Sequence, residues 1–281
     1  LILDALSAIA RALLYCGVLS CAGTVFATRT LLTPQLAPEL EQRVAQITRG
    51  SAWLAIAASI AGVFILLLRL GGQFDESTLS AVFNSGFGAA TALLLTGAGV
   101  LLASLTDPTG RTMRLGSAVL MTLSFALSGH AAAIDLADGL VVFVHASAAA
   151  WWIGSLLLLN VTCNKSELKV VAQVVRRFSA FAVALVGGLV IAGLILLSVL
   201  LNFANALPLT AYEQVLAIKI VIATVVVGVA AYNKFQLTPR LAAGDSTAVS
   251  ILRVSINMEL SLIAAVLMAT AILTTYTSPP E

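Results

Sequence analysis

The chain is short of nearly everything polar. Of its 281 residues only 10% are charged, and it has two histidines, three cysteines and four methionines. A soluble domain carries about 25% charged residues, so the deficit excludes an ordinary water-facing surface. The mean hydropathy of +1.04 agrees, and lipid must be the main solvent. A formal net charge of +2 is too small to mark a nucleic-acid partner. Cys16, Cys21 and Cys163 form no CxxC, and Cys16 and Cys21 stand on different faces of one apolar helix, so no disulfide framework follows. No Ser-His-Asp set, HExxH or Walker sequence occurs, and the G-x-G pairs follow no strand. Soluble-enzyme chemistry therefore has no support, and the chain reads as a non-enzyme. The first apolar run continues like a span rather than a cleavable leader.

What is present is a series of apolar runs. A helix needs about 20 apolar residues to cross a bilayer, and eight segments qualify: 10–28, 51–70, 82–105, 112–129, 138–161, 178–201, 211–232 and 251–275. The fold class expected is all-α, a polytopic membrane helical bundle of about eight transmembrane helices, with residues 1–281 forming a single transmembrane domain. Gly71-Gly72, Pro108-Thr109-Gly110, Pro208 and Pro239 punctuate the connections. Glycines in "GFGAATALLLTGAG" and "VGGLVIAGL" read as close helix packing.

The connections alternate in charge. Arg29, Arg43 and Arg49 follow the first span, Arg111 and Arg114 the third, and Lys165, Lys169, Arg176 and Arg177 the fifth. With Lys234, Arg240 and Arg253, twelve of the fifteen basic residues lie on one side. The positive-inside rule makes that side cytoplasmic, which places both termini outside. The fourth connection, with His130, Asp135 and Asp138, then also faces outward.

His130 and His145 are the only imidazoles, fifteen residues apart. His130 sits at the outer mouth, and His145 lies about 10 Å deeper in the fifth span. Asp138, His145 and Trp152, spaced i, i+7, i+14, share one helix face. Trp152 packs near mid-span, where it could roof or floor the His145 site. Ionisable groups inside a span are costly and usually face the bundle interior; besides His145 these are Lys219 and Glu259. Their depths bring the two within pairing range near the midplane, the alternative being that Lys219 snorkels outward and Glu259 is protonated or hydrogen-bonded. Imidazole and sulfur ligands suit copper, especially Cu(I). Cys16 and Met268 fall near the depth of His145 and are weaker ligand candidates than the histidines, packing being the alternative role for both.

Several stretches resemble one family. "SGHAA" (128–132) followed by "VHASAAAWWIGSLLLL" (144–159) is similar to the copper-resistance protein D family of bacterial inner-membrane proteins. "RRFSAFA" (176–182), "AYEQVLAIKIVIATVVVGVAAYNKFQLTPRL" (211–241) and "LRVSINMELSLIAAVLMATAILT" (252–274) extend the resemblance, and "ARALLYCGVLSCAG" (10–23) fits its first span. The resemblance implies an eight-helix, multi-pass protein of the bacterial inner membrane that handles copper ions, Cu(I) or Cu(II), often beside a periplasmic copper-binding protein. It maps the family's histidines onto His130 and His145, and its helix-buried Lys and Glu onto Lys219 and Glu259. Four methionines and two histidines favour one sparse site over a multi-site relay.

The leading expectation is copper transport, with His130 receiving the ion at the outer mouth, His145 carrying it inward and Asp135 and Asp138 concentrating cations there. Neutral imidazole binds the ion, so affinity should fall as pH drops through a nominal histidine value of about 6.5. A second reading is an electron-transfer protein with haem b held by both histidines. A third is a structural or sensory membrane partner that transports nothing. Lipid is the expected surroundings, no nucleic-acid partner is expected, and a homo-oligomer is compatible with the sequence.

Overall fold

A computed structural model of the chain describes residues 2–32, 38–72, 74–107, 110–127, 136–201 and 211–276. Among these there is no strand; the chain is a bundle of long helices. They are α1 (Ile2–Leu31), α2 (Pro38–Arg69), α3 (Glu76–Phe83), α4 (Gly86–Ser104), α5 (Arg111–Leu123), α6 (Leu136–Lys165) and α7 (Leu168–Leu201), then α8 (Ala211–Tyr232), the short α9 (Thr238–Ala242) and α10 (Thr247–Tyr276). A 3-10 turn, Ser124–Leu127, extends α5, and a π turn, Asn233–Leu237, joins α8 to α9.

Among the described residues, seven helical segments are long and apolar enough to cross a membrane. The run expected at 112–129 is shorter, yet it too traverses the bundle. Its start, Arg111, lies 4.0 Å from Glu41 near the beginning of α2. Its end reaches the start of α4, where a Cβ on Gly86 would stand 3.0 Å from the Leu127 carbonyl oxygen. Thirteen α-helical and four 3-10 residues rise about 28 Å, close to the thickness of a hydrocarbon core. Among the described residues this run thus spans the length of the bundle beside the seven membrane-length helices. The sequence placed Arg43 and Arg49 in a loop, but both lie on α2, because the helices run past the apolar stretches used to find them.

Two helices hold the bundle together. α1 and α6 meet backbone to backbone: a Cβ on Gly23 would lie 1.9 Å from the Ala150 carbonyl oxygen, and one on Gly154 would lie 1.9 Å from the Gly23 carbonyl carbon. Only glycine permits this approach. Gly17 makes a similar seat against Ala55 of α2. α1 and α6 contribute to both apolar cores. One core joins them to α4 and α5 through Val18, Leu94, Met121 and Ile153. The other joins them to α7, α8 and α10 through Leu156, Val174, Val226 and Ile256.

The helix ends are tied by polar contacts. Arg69 pairs with Asp4, and Arg11 donates to the Thr274 carbonyl at 2.7 Å, at one end of the bundle. At the other end Arg177 donates to the Leu31 carbonyl at 3.1 Å, and Arg253 to Asn164 at 3.1 Å. Gly71 and Gly72, with φ of +102° and +69°, turn the chain out of α2. Asp75 then caps α3 by accepting from the Thr78 N–H at 2.8 Å. Donation from Thr78 holds the Asp75 carboxyl below its ordinary range.

α7 and α8 are the outer helices. Only 6% of the apolar stretch of α7 and 11% of that of α8 is buried within the chain, against 50% for α6. The two follow each other in sequence but barely touch; α7 leans on α6 and α8 on α10. A groove therefore opens between them, with α6 and α10 as its floor.

Candidate functional site: an intramembrane groove

His145 stands in this groove on α6. Its Nδ1 lies 3.2 Å from the Leu189 carbonyl oxygen of α7. A carbonyl only accepts, so Nδ1 carries the proton and the lone pair of the neutral ring sits on Nε2. Leu189 belongs to the α7 ladder, and its oxygen serves both Gly193 N–H and the ring through its two lone pairs. Gly193 makes room for the contact: a Cβ there would come within 3.3 Å of the imidazole Cε1. Lys219 of α8 lies close enough to act electrostatically on the same ring.

The second polar group of the groove lies two helical turns along α6, about 10.5 Å below His145. Here Glu259 of α10, 1% exposed, accepts from Asn233 Nδ2 at 2.5 Å. The Trp152 indole N–H stands beside the same carboxyl without completing a hydrogen bond to it. Asn233 opens the π turn that ends α8. Such turns insert one residue and reorient the side chains around it, and here they bring the amide under Glu259. Next to it Lys234 reaches back to α7, donating to the Ser179 carbonyl and hydroxyl at 3.0 and 2.8 Å.

This arrangement corrects the expected Lys219–Glu259 pair, which does not form. Glu259 is bonded to Asn233, fourteen positions beyond Lys219 on the same helix and its π extension, or about 21 Å of helical rise. The depths assigned from apolar run ends misled because the helices extend well beyond those runs. Trp152 belongs with Glu259, about 10 Å from the His145 ring along the helix, and neither roofs nor floors it directly. The glycines of "VGGLVIAGL" also differ from expectation: Gly187 and Gly188 have nothing within 4 Å of where a Cβ would stand, and Gly193 alone of the three seats a neighbour.

Asp138 lies half-buried in the first turn of α6. His130 and Asp135 lie outside the described residues. Cys16 is half-buried on α1, and Met268 is 40% exposed on α10; neither hydrogen-bonds the imidazole. The sulfurs that do meet are others. Cys21 Sγ of α1 and Met121 Sδ of α5 stand 4.0 Å apart, both fully buried, in a contact that the sequence offered no means of pairing. Among the described residues no group of three His, Cys, Asp or Glu side chains converges to hold an ion. The groove thus offers one imidazole nitrogen, with a carboxyl deeper in.

Comparison with known proteins points to one family. The profile of Copper resistance protein D matches residues 172–273, covering α7 to α10, and that of the Copper resistance protein D-like N-terminal domain matches residues 2–140. The chain is 27% identical over 167 residues to the Copper transport protein CutJ of Bacillus subtilis (strain 168), a stretch that covers 57% of this chain and 30% of that protein. The chain thus matches less than a third of that relative's length. No solved structure matches the chain. With both profiles falling on a bundle of membrane-length helices, the chain belongs to the copper resistance protein D family.

Proposed function

We propose that this chain moves copper ions across a bacterial inner membrane, with His145 as the intramembrane ligand and His130 as the residue that meets the ion at the outer mouth. The observation that carries this reading is the seating of His145. A metal-binding histidine usually donates its second ring N–H to a carbonyl or carboxylate, which fixes the tautomer and aims the free nitrogen. His145 does this through Leu189, in a groove floored by the most buried helix of a copper-family protein. Lys219 lies within electrostatic range of the ring and, when protonated, works against a cation at Nε2. It keeps binding weak enough for release, as conduction requires.

The orientation follows from charge. With most Lys and Arg cytoplasmic, Asp138, the His130 connection and both termini face outward. The acids at that mouth raise the local cation concentration. A periplasmic copper-binding protein is the partner such a mouth would serve, and residues 1–281 act as one transmembrane unit.

Copper flux into proteoliposomes tests the proposal. His145→Ala abolishes flux while the protein stays folded, since the helix only loses a polar group. His130→Ala does less harm, chiefly at low copper, where capture limits the rate. Wild-type flux in a well-folded His145→Ala sample overturns the assignment. A haem absorption spectrum in the purified protein would instead support the bis-histidine reading, which the family match does not favour. Impermeant thiol reagents reacting with Ser166→Cys from the outside would reverse the orientation.

A further inference from the structure

Two helical turns along α6 from His145, between α7, α8 and α10, lies a cavity of about 200 Å³ that His145 itself does not border, enough for several water molecules at about 30 Å³ each. Its walls are mainly apolar, yet Trp152, Ser179, Asn233, Lys234 and Glu259 all border it. Three of these present buried polar atoms without a hydrogen-bond partner: Trp152 Nε1, Asn233 Oδ1 and Glu259 Oε2. Their residues are 4%, 8% and 1% exposed. Leaving such groups unpaired is costly, and although the indole N–H stands beside the carboxyl, a small polar occupant reaching all three atoms would relieve it.

The chemistry of the three atoms identifies that occupant. One is a donor and two are acceptors. A water molecule accepts once and donates twice, so it completes the set, with three hydrogen bonds as buried waters typically make. A bare metal cation would suit the two oxygens but face the indole N–H. An anion would suit the indole but face the carboxyl. The group most able to change state is the carboxyl, because a charged acid in an apolar cavity is far costlier than a neutral one.

We propose that Glu259, Asn233 and Trp152 form a hydrated proton-binding site within the membrane, and that the chain exchanges protons for copper through it. In the step, the Glu259 carboxylate takes a proton from hydronium reaching the bound water, leaving a neutral carboxyl and water. The reverse step returns the proton to water. Asn233 Nδ2 holds Oε1, so the exchange occurs at Oε2. Across about 10 Å of apolar interior the ionised carboxyl favours a cation at His145 electrostatically, and the neutral one does not, so copper and the proton compete. The other titratable group bordering the cavity is Lys234, on the π turn and tied to Ser179. The bordering residues of α6, α7 and α8 carry no charge, and Lys219 of α8 stands higher, beside His145.

The coupling to copper rests on the function proposed above, so the experiment has two arms. In the first, infrared difference spectra between acidic and alkaline buffer follow protonated carboxyl in the full-length protein without copper. A band lost in E259Q, and shifted in its titration midpoint by about tenfold or more in proton affinity in N233A or W152F, supports the site. The same band in E259Q as in wild type overturns it, whatever the transport result. N233A and W152F keep the carboxyl, so the arm survives poor folding of E259Q. In the second, a pH dye trapped in proteoliposomes reports protons moving against copper. Proton movement in wild type that vanishes in E259Q supports exchange, and copper flux without any proton movement overturns it. A titrating Glu259 band in a protein that carries no copper removes the transport function while leaving the proton site standing.

Discussion

The imidazole Nδ1 of His145 faces the Leu189 carbonyl oxygen at 3.2 Å, and Gly193, one turn further along α7, keeps open the space that the ring fills. A side chain at 193 must push the ring away, because even a Cβ would stand 3.3 Å from Cε1. Gly193→Val is therefore expected to lower copper affinity by about 10–100-fold, the usual effect of losing the partner that orients a ligand. The helix is not weakened, since glycine is a poorer helix former than valine. Competition against a Cu(I) chelator measures the loss, and a helical circular dichroism signal like that of wild type shows that the fold persists.

The α1–α6 crossing gives a stability test. A methyl group on Gly23 meets the Ala150 carbonyl oxygen at 1.9 Å, so a backbone has to move. Gly23→Ala is expected to cost about 3 kcal/mol or more, the upper end of overpacking. Gly188→Ala, with nothing within 4 Å, is expected to be neutral or to gain up to about 1 kcal/mol in helix propensity. Thermal unfolding in detergent separates the two.

The carboxyl of Glu259 has its partner on the π turn. A double-mutant cycle between Asn233 and Glu259 should give a coupling of about 1–3 kcal/mol, as for a buried hydrogen bond to a carboxyl group. The cycle between Lys219 and Glu259 should give less than about 0.5 kcal/mol, as distant sites do. Equal couplings would show that the groove is shorter than described.

Outside the membrane, Asp245 ties the turn between α9 and α10. It accepts from the Thr247 N–H and hydroxyl at 2.9 and 2.5 Å and from Arg240 Nε at 2.9 Å. The Thr247 hydroxyl, followed by Arg240, holds its carboxyl down to about 2. The folded value lies below that of the unfolded chain, so the contribution to stability is complete above about pH 4. It is lost as pH falls through about 2. Amide hydrogen exchange at Thr247 should quicken over that window in wild type, and Asp245→Asn should show no such acid step.

Much of this architecture is legible in the sequence because lipid imposes one rule, about 20 apolar residues for each crossing. The apolar run at 112–129 coincides with the short α5 and its 3-10 turn, though α5 itself is not of membrane length. The prominence of His145 follows from the cost of a buried imidazole. The partners were less accessible. Apolar run ends fix neither the depth of Lys219 and Glu259, because the helices extend beyond those runs, nor rotation about a helix axis, which decides that Cys21 and not Cys16 makes the sulfur contact. Asn233 lay in plain view within "AYNKF", yet its role depends on a π turn. That insertion arises from the competing bonds of a whole neighbourhood and leaves no periodic signal.

The contact of Gly23 with Gly154 also orders the making of the protein. Gly154 leaves the ribosome long after Gly23, once the five helices α1 to α5 have been translated. Until α6 arrives, the backbone face of α1 at Gly23 lacks the partner that the Ala150 carbonyl and Gly154 supply. The N-terminal half must therefore wait in a loosened state. Insertion of α6 closes the core shared with α4 and α5, while the second core and the seat of His145 wait for α7, which brings Val174 and the Leu189 carbonyl.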